Sequence, residues 1–256
     1  MRDELKAFER LLDIMDELRA RCPWDKSQTI ESLRYLTIEE TYELSDAIMH
    51  REMDNVCKEL GDLMLHIVFY SKIASENKAF SITDVLNGIC EKLIVRHPHI
   101  YADVKVSGAG DVKSNWEKIK LKTGERSVLA GVPGSLPAMV KAYRMQEKVS
   151  GVGFDWEKRS QVFEKVLEEL NELKDEVEKK TENAKIEEEF GDLFFALINY
   201  ARFINVNPED ALEKTNIKFQ KRFAFIEKKA KERNRKIQDL SLEEMDVFWN
   251  EAKLTE

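Results

Sequence analysis

Residues 187–195 of this 256-residue chain read Glu-Glu-Glu-Phe-Gly-Asp-Leu-Phe-Phe. An apolar run follows Asp192 directly, so we expect its carboxylate to lie at the edge of an apolar interior, where an unpaired charge is costly. Residues three or four apart share one face of a helix, so Glu189 and Asp192 point the same way. A helix with two acids beside its apolar face needs positive charge close to them.

A second acidic group lies upstream, in residues 168–172, which read Glu-Glu-Leu-Asn-Glu. Glu169 and Glu172 also share a helix face. If the two helices pack antiparallel, four carboxylates converge, and they repel one another unless a divalent cation lies among them. All-oxygen ligation favours Mg²⁺, with Mn²⁺ as an alternative, over zinc. The sequence therefore predicts a metal site formed by Glu169, Glu172, Glu189 and Asp192.

The acidic pattern occurs twice, which separates it from the solvated Glu pairs expected of a chain that is 35% charged. Glu59 lies 16 residues after Glu43, and Glu189 lies 17 residues after Glu172. The earlier copy contains Glu40, Glu43, Glu59 and Asp62. At a shift of 126 residues the halves also match at Leu86, Lys92, Arg96 and Ile100, against Leu212, Lys218, Arg222 and Ile226. This indicates an internal duplication.

Composition predicts an all-α protein, because ten Gly and five Pro are few for this length and Glu, Lys and Leu are abundant. Most helix breakers fall between residues 101 and 137. We therefore predict an N-terminal helical-bundle domain over residues 1–120, a linker over residues 121–137 and a C-terminal helical-bundle domain over residues 138–256. An apolar face left open on each bundle favours a dimer.

The charge balance limits the classes of partner. A net charge of −8 argues against a non-specific nucleic-acid binder, which needs a basic surface. It is compatible with a nucleotide whose phosphates arrive with Mg²⁺. The N-terminus is charged and no stretch approaches about 18 apolar residues, so we predict a soluble cytoplasmic protein that does not enter a membrane. Three dispersed cysteines favour reduced thiols.

Cations in the second half fit a polyphosphate substrate. Lys218 and Arg222 lie four residues apart and would bind phosphate, while Trp249 would contact the nucleotide. Each has a simpler interpretation as a solvated helix face or a core aromatic. The chain has no Gly-rich Walker loop and no Glu-x-x-His of di-iron bundles. Metal binding by His97 and His99 is disfavoured, because Pro98 breaks the helix between them.

Several motifs of the chain resemble the MazG family of all-α nucleoside triphosphate pyrophosphohydrolases. The family is marked by Glu-Glu-x-x-Glu followed by Glu-x-x-Asp, which this chain carries in both halves. Further segments typical of the family are residues 22–29 (Cys-Pro-Trp-Asp-Lys-Ser-Gln-Thr), 96–99 (Arg-His-Pro-His), 153–156 (Gly-Phe-Asp-Trp) and 218–223 (Lys-Phe-Gln-Lys-Arg-Phe). The resemblance extends over nearly the whole chain.

The resemblance implies two MazG-like domains in a homodimer that hydrolyses nucleoside triphosphates to monophosphate and pyrophosphate with Mg²⁺. It implies a role in nucleotide-pool house-cleaning or stress response, with activity in the C-terminal repeat. By motif position, Mg²⁺ would be bound by the four acids named above. The nucleotide would contact Lys165, Glu168, Lys185, Glu188, Lys218, Arg222 and Trp249. Our own hypothesis for catalysis uses Glu168, Glu172 and Asp192, with Glu168 orienting the attacking water.

Two other classes of protein fit parts of the sequence. A nucleotide-sensing helical module would use the acids for Mg²⁺ affinity alone, and it would bind nucleotide tightly without releasing product. A purely structural helical dimer would show no Mg²⁺-dependent change in thermal stability.

Overall fold

The first half of the chain folds as a series of helices connected by short, capped turns. The computed structural model describes residues 2–108, 110–112, 115, 119 and 127–255. The helices of the first half are α1 (Asp3–Arg21), α2 (Pro23–Ser27), α3 (Ile30–His50), α4 (Met53–Glu76), α5 (Ile82–Arg96) and α6 (Pro98–Tyr101). Reciprocal capping boxes open α3 at Thr29 and α5 at Ser81, and the Ser-x-x-Asp spacing at residues 81–84 is typical of such a cap.

Helices α3 and α4 form an antiparallel hairpin with a two-residue connection. Arg51 ends α3 in the left-handed conformation, with φ of 59°, which reverses the chain direction. The hairpin and α1 enclose an apolar core whose fully buried members are Met15, Leu33, Val68, Phe69 and Ile73. This core fixes the two long helices against each other.

The second half repeats this arrangement. Its helices are α7 (Ala138–Ser150), α8 (Arg159–Lys179), α9 (Asn183–Phe203), α10 (Pro208–Glu232) and α11 (Leu242–Leu254), with a 3₁₀ turn at Ile237–Asp239. Lys180 ends α8 in the left-handed conformation, with φ of 52°, as Arg51 ends α3. Helices α8 and α9 therefore form a second hairpin. Asn207 caps α10 through its side-chain oxygen, which accepts from the backbone N–H of Glu209.

Two apolar clusters support the second half. Val166, Leu193 and Ala196 join α8 to α9. Ile226, Ala230, Leu240 and Phe248 join α10, the 3₁₀ turn and α11. The hairpin and the α10–α11 pair thus have separate apolar supports.

The prediction of an all-α protein is confirmed, since the described residues contain helices and turns without a strand. Contacts divide the chain into compact units, residues 1–105 and residues 106–256. The predicted linker, residues 121–137, falls within the second unit, and residues 121–126 of it lie outside the described residues. Among the helices described here, none is both long and apolar enough to cross a membrane.

Leu33→Ala tests the core of the first unit. Leu33 is 0% exposed, so truncation leaves a cavity and should lower the free energy of unfolding by about 2–5 kcal/mol. Urea denaturation followed by circular dichroism measures the loss. Leu5→Ala is the matched control, because Leu5 is 54% exposed on α1 and should change stability little. Equal effects of the two variants would contradict the assigned core.

Candidate metal centre

Three carboxylates converge in the second unit, across the α8–α9 hairpin. Glu169 and Glu172 come from α8, and Glu189 comes from α9. One oxygen of each lies within 4.8 Å of the corresponding oxygens of the other two. The helical spacing places Glu169 and Glu172 on one face, and the hairpin places Glu189 opposite them. The structure therefore brings together three of the four predicted ligands.

Burial is uneven in this group. Glu169 is 7% exposed, Glu189 is half-buried, and Glu172 and Asp192 are exposed. We expected the costly carboxylate to be Asp192, because an apolar run follows it. The structure instead buries Glu169 and leaves Asp192 exposed. Of the apolar run, Leu193 enters the core, while Phe194 and Phe195 are 42% and 44% exposed. An apolar run on a helix covers several faces, so it does not by itself bury its neighbour.

The pKa values of the acids report their crowding. The pKa of Glu172 is raised mainly by removal of its carboxylate from water, and the negative charge of Glu169 is the next cause. The pKa of Glu189 is likewise raised mainly by removal from water, and next by the negative charges of Asp192 and Glu169. Asp192 thus acts electrostatically on Glu189 although it lies outside the tight group of three. The cluster holds more negative charge than the protein around it neutralises.

Lys165 supplies part of the opposing charge. Its Nζ lies 2.7 Å from Oε1 of Glu168 and 2.7 Å from Oε1 of Glu169. Both hydrogen bonds raise the pKa of Lys165, and the bond to Glu168 has the larger effect. Lys165 therefore links the buried carboxylate of Glu169, a predicted metal ligand, to Glu168, the residue predicted to orient water.

The remaining predicted nucleotide contacts lie in two places. Lys185 and Glu188 are exposed on the first turns of α9, and the charge of Glu188 contributes to the raised pKa of Glu189. Arg222 on α10 places its guanidinium carbon 5.3 Å from the ring centre of Trp249 on α11. Lys218 is exposed one turn before Arg222. Arg222 and Trp249 thus form a group of their own, on different helices from the acids.

The first unit carries the corresponding acidic group. Glu40 and Glu43 of α3 and Glu59 of α4 place one oxygen each within 4.8 Å of one another. Glu59 is 5% exposed, and its Oε2 is buried without a hydrogen-bond partner. The pKa of Glu40 is raised mainly by burial, and next by the negative charges of Asp62, Glu43 and Glu59. A buried carboxylate oxygen without a partner is costly, so this position favours a bound cation.

The two acidic groups differ in the cation beside them. Lys58 of α4 places its Nζ 2.9 Å from Glu59 and 3.8 Å from Asp62. When the hairpins are aligned on their acids, Lys58 occupies the place of Glu188, and Leu36 occupies the place of Lys165. Both differences are visible in the sequence once the repeat is aligned, and sequence reasoning from the acids alone missed them.

The donor set fits a hard divalent cation. The ligands offered are carboxylate oxygens, which suit Mg²⁺ or Mn²⁺, and the group in the second unit comes from two rigid helices. The raised pKa values of Glu172 and Glu189 show that these acids gain from an added positive charge. The residues present therefore fit a metal that is held between α8 and α9.

Comparison with known proteins gives the same two repeats. Residues 28–101 and 158–237 each match the family model described as the MazG nucleotide pyrophosphohydrolase domain. The chain is 39% identical to the nucleoside triphosphate pyrophosphohydrolase of Escherichia coli K12, over 98% of this chain and 99% of the relative. It is 42% identical to the nucleoside triphosphate pyrophosphohydrolase/pyrophosphatase MazG of Thermotoga maritima, over 96% and 95%. It is 47% identical to the uncharacterized protein YabN of Bacillus subtilis, over 97% of this chain and 52% of YabN.

Glu172→Gln tests the repulsion within the acidic group. The pKa of Glu172 is higher in the folded protein than the ordinary value of 4.5. The contribution of Glu172 to the free energy of unfolding is therefore fully present below pH 4.5, and it is lost as the pH rises through the folded-state pKa. In protein treated with a chelator, Glu172→Gln should therefore raise the melting temperature at pH 7.5, and the gain should vanish near pH 4.

Calorimetric scans at the two pH values make this measurement. Glu164→Gln is the matched control, because Glu164 is exposed on the same helix and outside the acidic group, and it should leave both melting temperatures unchanged. A lower melting temperature for Glu172→Gln at pH 7.5 would show that Glu172 is stabilised by its surroundings.

Proposed function

This chain belongs to the MazG nucleotide pyrophosphohydrolase family and is a nucleoside triphosphate pyrophosphohydrolase, and on that premise we propose that α8 and α9 carry its turnover with bound Mg²⁺. The observation that supports the proposal most directly is the convergence of Glu169, Glu172 and Glu189. Asp192 completes the set as a ligand from the exposed side. When bound there, Mg²⁺ would polarise the phosphoryl oxygens and lower the pKa of water.

Glu168 orients the attacking water in this proposal. Lys165 holds Oε1 of Glu168 at 2.7 Å, so Oε2 is the atom that accepts a hydrogen bond from water. The water oxygen forms a bond to the α-phosphorus, the bond from that phosphorus to the bridging oxygen breaks, and pyrophosphate leaves. One water proton passes to Oε2. The products are a nucleoside monophosphate and pyrophosphate, which balances one triphosphate and one water.

Cations of the second unit bind the remaining phosphate charge. We assign this role to Lys185, Lys218 and Arg222. Trp249 holds Arg222 in place, since the guanidinium lies over its ring at 5.3 Å. This packing occupies one face of Trp249, so Trp249 acts on the nucleotide mainly through Arg222.

The second unit is the proposed site of turnover because it has lysines at two positions flanking its acids where the first unit has neutral side chains. At the positions equivalent to Lys165 and Lys185, the first unit has Leu36 and Asn55. Lys58 instead lies directly on the acids of the first unit, at 2.9 Å from Glu59. The first unit keeps Lys92 and Arg96 at the positions of Lys218 and Arg222, so it differs from the second unit in the lysines that directly flank the acids.

A homodimer is part of the proposal. The outer face of the α8–α9 hairpin carries an apolar stripe whose members are all 42–52% exposed, namely Phe163, Leu167, Leu170, Phe190, Phe194 and Leu197. Leu60, Met64 and Ile67 are similarly exposed on the hairpin of the first unit. Apolar stripes of this length at helical spacing require cover, and a second copy of the chain supplies a matching stripe. A substrate from the nucleotide pool fits a cytoplasmic house-cleaning enzyme.

Product analysis tests the reaction. The full chain is incubated with ribo- and deoxyribonucleoside triphosphates in ¹⁸O-labelled water, with and without Mg²⁺, and products are separated by chromatography. We expect monophosphate and pyrophosphate in equal amounts, with the label in the monophosphate. Glu172→Gln should reduce turnover about 100-fold, and Glu164→Gln should retain it.

Other products would contradict the reaction. Diphosphate with orthophosphate would move the attack to the γ-phosphorus, and tight nucleotide binding without product would support the sensing module. Loss of turnover in Glu43→Gln with retention in Glu172→Gln would place the reaction in the first unit.

Leu197→Lys tests the dimer. Light scattering after size-exclusion chromatography should give twice the chain mass of 29.9 kDa for the parent and the single chain mass for Leu197→Lys, because a buried unpaired lysine is costly. Leu5→Lys places the same charge on an exposed leucine outside the stripe and should leave the dimer intact. A monomeric parent would refute the assigned interface.

A further inference from the structure

An open cavity of about 510 Å³ lies in the second unit. It is bounded by α7, by the loop between α7 and α8, and by α9. Its lining is mainly apolar and aromatic, with a few polar groups, and its size is that of small-molecule sites in proteins. The mechanism described above makes no use of this cavity.

Gln146 of α7 presents an unsatisfied acceptor at the cavity. The residue is 4% exposed, and its Nε2 donates to the backbone oxygen of Phe195 at 2.9 Å. That bond fixes which end of the amide is nitrogen, because a carbonyl oxygen accepts only from a donor. Oε1 of Gln146 is buried without a hydrogen-bond partner. A buried acceptor in this state gains from a ligand that brings an N–H group.

The loop beside Gln146 is held firmly to α9. Asp155 accepts hydrogen bonds from Ser150 Oγ, from the backbone N–H of Trp156 at 2.9 Å and from Arg202 Nη1 at 2.8 Å. Gly153 adopts φ of 92°, which a residue with a side chain rarely does. The cavity wall on this side is therefore built before a ligand arrives.

This fixed loop displays aromatic rings at the cavity. Phe154 is 80% exposed and Trp156 is 44% exposed, and both line the cavity. Exposed aromatic rings on a rigid loop suit stacking with another planar ring. Asn199 lines the opposite wall, and its Oδ1 accepts from Arg202 at 2.9 Å, which leaves its amide N–H groups as donors for a ligand.

The cavity lies on the same face of α9 as the metal-binding acids. Phe195 and Asn199 follow Asp192 by three and seven residues, which places them about 4.5 and 10.5 Å further along the helix axis. A nucleotide with its phosphates at the acids therefore reaches the cavity with its sugar and base.

The first unit has a smaller cavity of about 210 Å³ in the corresponding place, lined in part by Met15, Asp16 and Lys72. At a shift of 130 residues, Met145 and Asn199 correspond to Met15 and Phe69, which are 1% and 2% exposed in the core of the first unit. Gln146 corresponds to Asp16, which pairs with Lys72 at 2.7 Å. The larger cavity, with its unsatisfied acceptor, thus belongs to the unit to which we assign turnover.

We propose that this cavity binds the base of the nucleoside triphosphate and that Gln146 Oε1 accepts a hydrogen bond from an exocyclic amino group of that base. The proposal rests on the proposed function for the phosphate end of the substrate. It makes Gln146 a specificity-determining residue and predicts a preference for bases that carry an amino group.

Paired substrates that differ in one amino group test this assignment. kcat and KM are measured for ATP against purine riboside triphosphate, and for CTP against pyrimidin-2-one riboside triphosphate, in the parent and in Gln146→Met. In at least one pair, Gln146→Met should raise the KM of the amino-bearing substrate roughly three- to tenfold and leave its partner within twofold. Equal changes in both members of each pair, or no change in either, would overturn it.

A second variant, Phe154→Ala, and a binding measurement test the base site independently of Gln146 and of turnover. Phe154→Ala should raise KM roughly tenfold for all bases with little effect on kcat, whereas Phe80→Ala, an exposed phenylalanine of the first unit, should leave KM unchanged. Calorimetric affinities for the same nucleotide pairs require no turnover. Absence of pyrophosphate would therefore refute the proposed reaction, while equal affinities within every pair would refute the base site.

Discussion

Mutual repulsion among carboxylates held by two packed helices is the constraint on which this structure depends. Glu169 and Glu172 are fixed by the turn of α8, and Glu189 is fixed by the apolar contacts that join α9 to α8. The backbone positions of all three residues are held by that apolar cluster. The repulsion therefore persists in the folded chain. A divalent cation that binds among the carboxylates relieves this repulsion and so stabilises the folded state.

The duplication shows which parts of the hairpin can change while the acids stay. Both units keep three converging carboxylates, a buried glutamate and a left-handed residue that ends the first helix. The buried glutamate is Glu59 of α4 in one unit and Glu169 of α8 in the other. The neighbouring cation changes helix with it, from Lys58 to Lys165. The same fold thus supports two charge arrangements around the same ligands.

Local features of the fold were predictable from sequence because they depend on residues close together in the chain. The caps at Ser81 and Asn207 follow from the side chain at the start of each helix, and the pairing of Glu169 with Glu172 follows from helical spacing. The burial of Glu169 in place of Asp192 was not predictable, because it depends on how α8 and α9 rotate against each other. The cavity at Gln146 was missed for the same reason, although residues 153–156 were already recognised as a motif.

The central claim is that the acids of the second unit bind Mg²⁺, and calorimetric titration at pH 7.5 tests it most directly. Titration of the full chain should show saturable binding whose affinity falls at least tenfold in Glu189→Gln and is unchanged in Glu164→Gln. A melting temperature that rises with Mg²⁺ should accompany that binding, with about 2.7 kcal/mol gained at 100 times the dissociation constant. Equal Mg²⁺ affinity in the parent and in Glu189→Gln, or a melting temperature independent of Mg²⁺, would contradict the account.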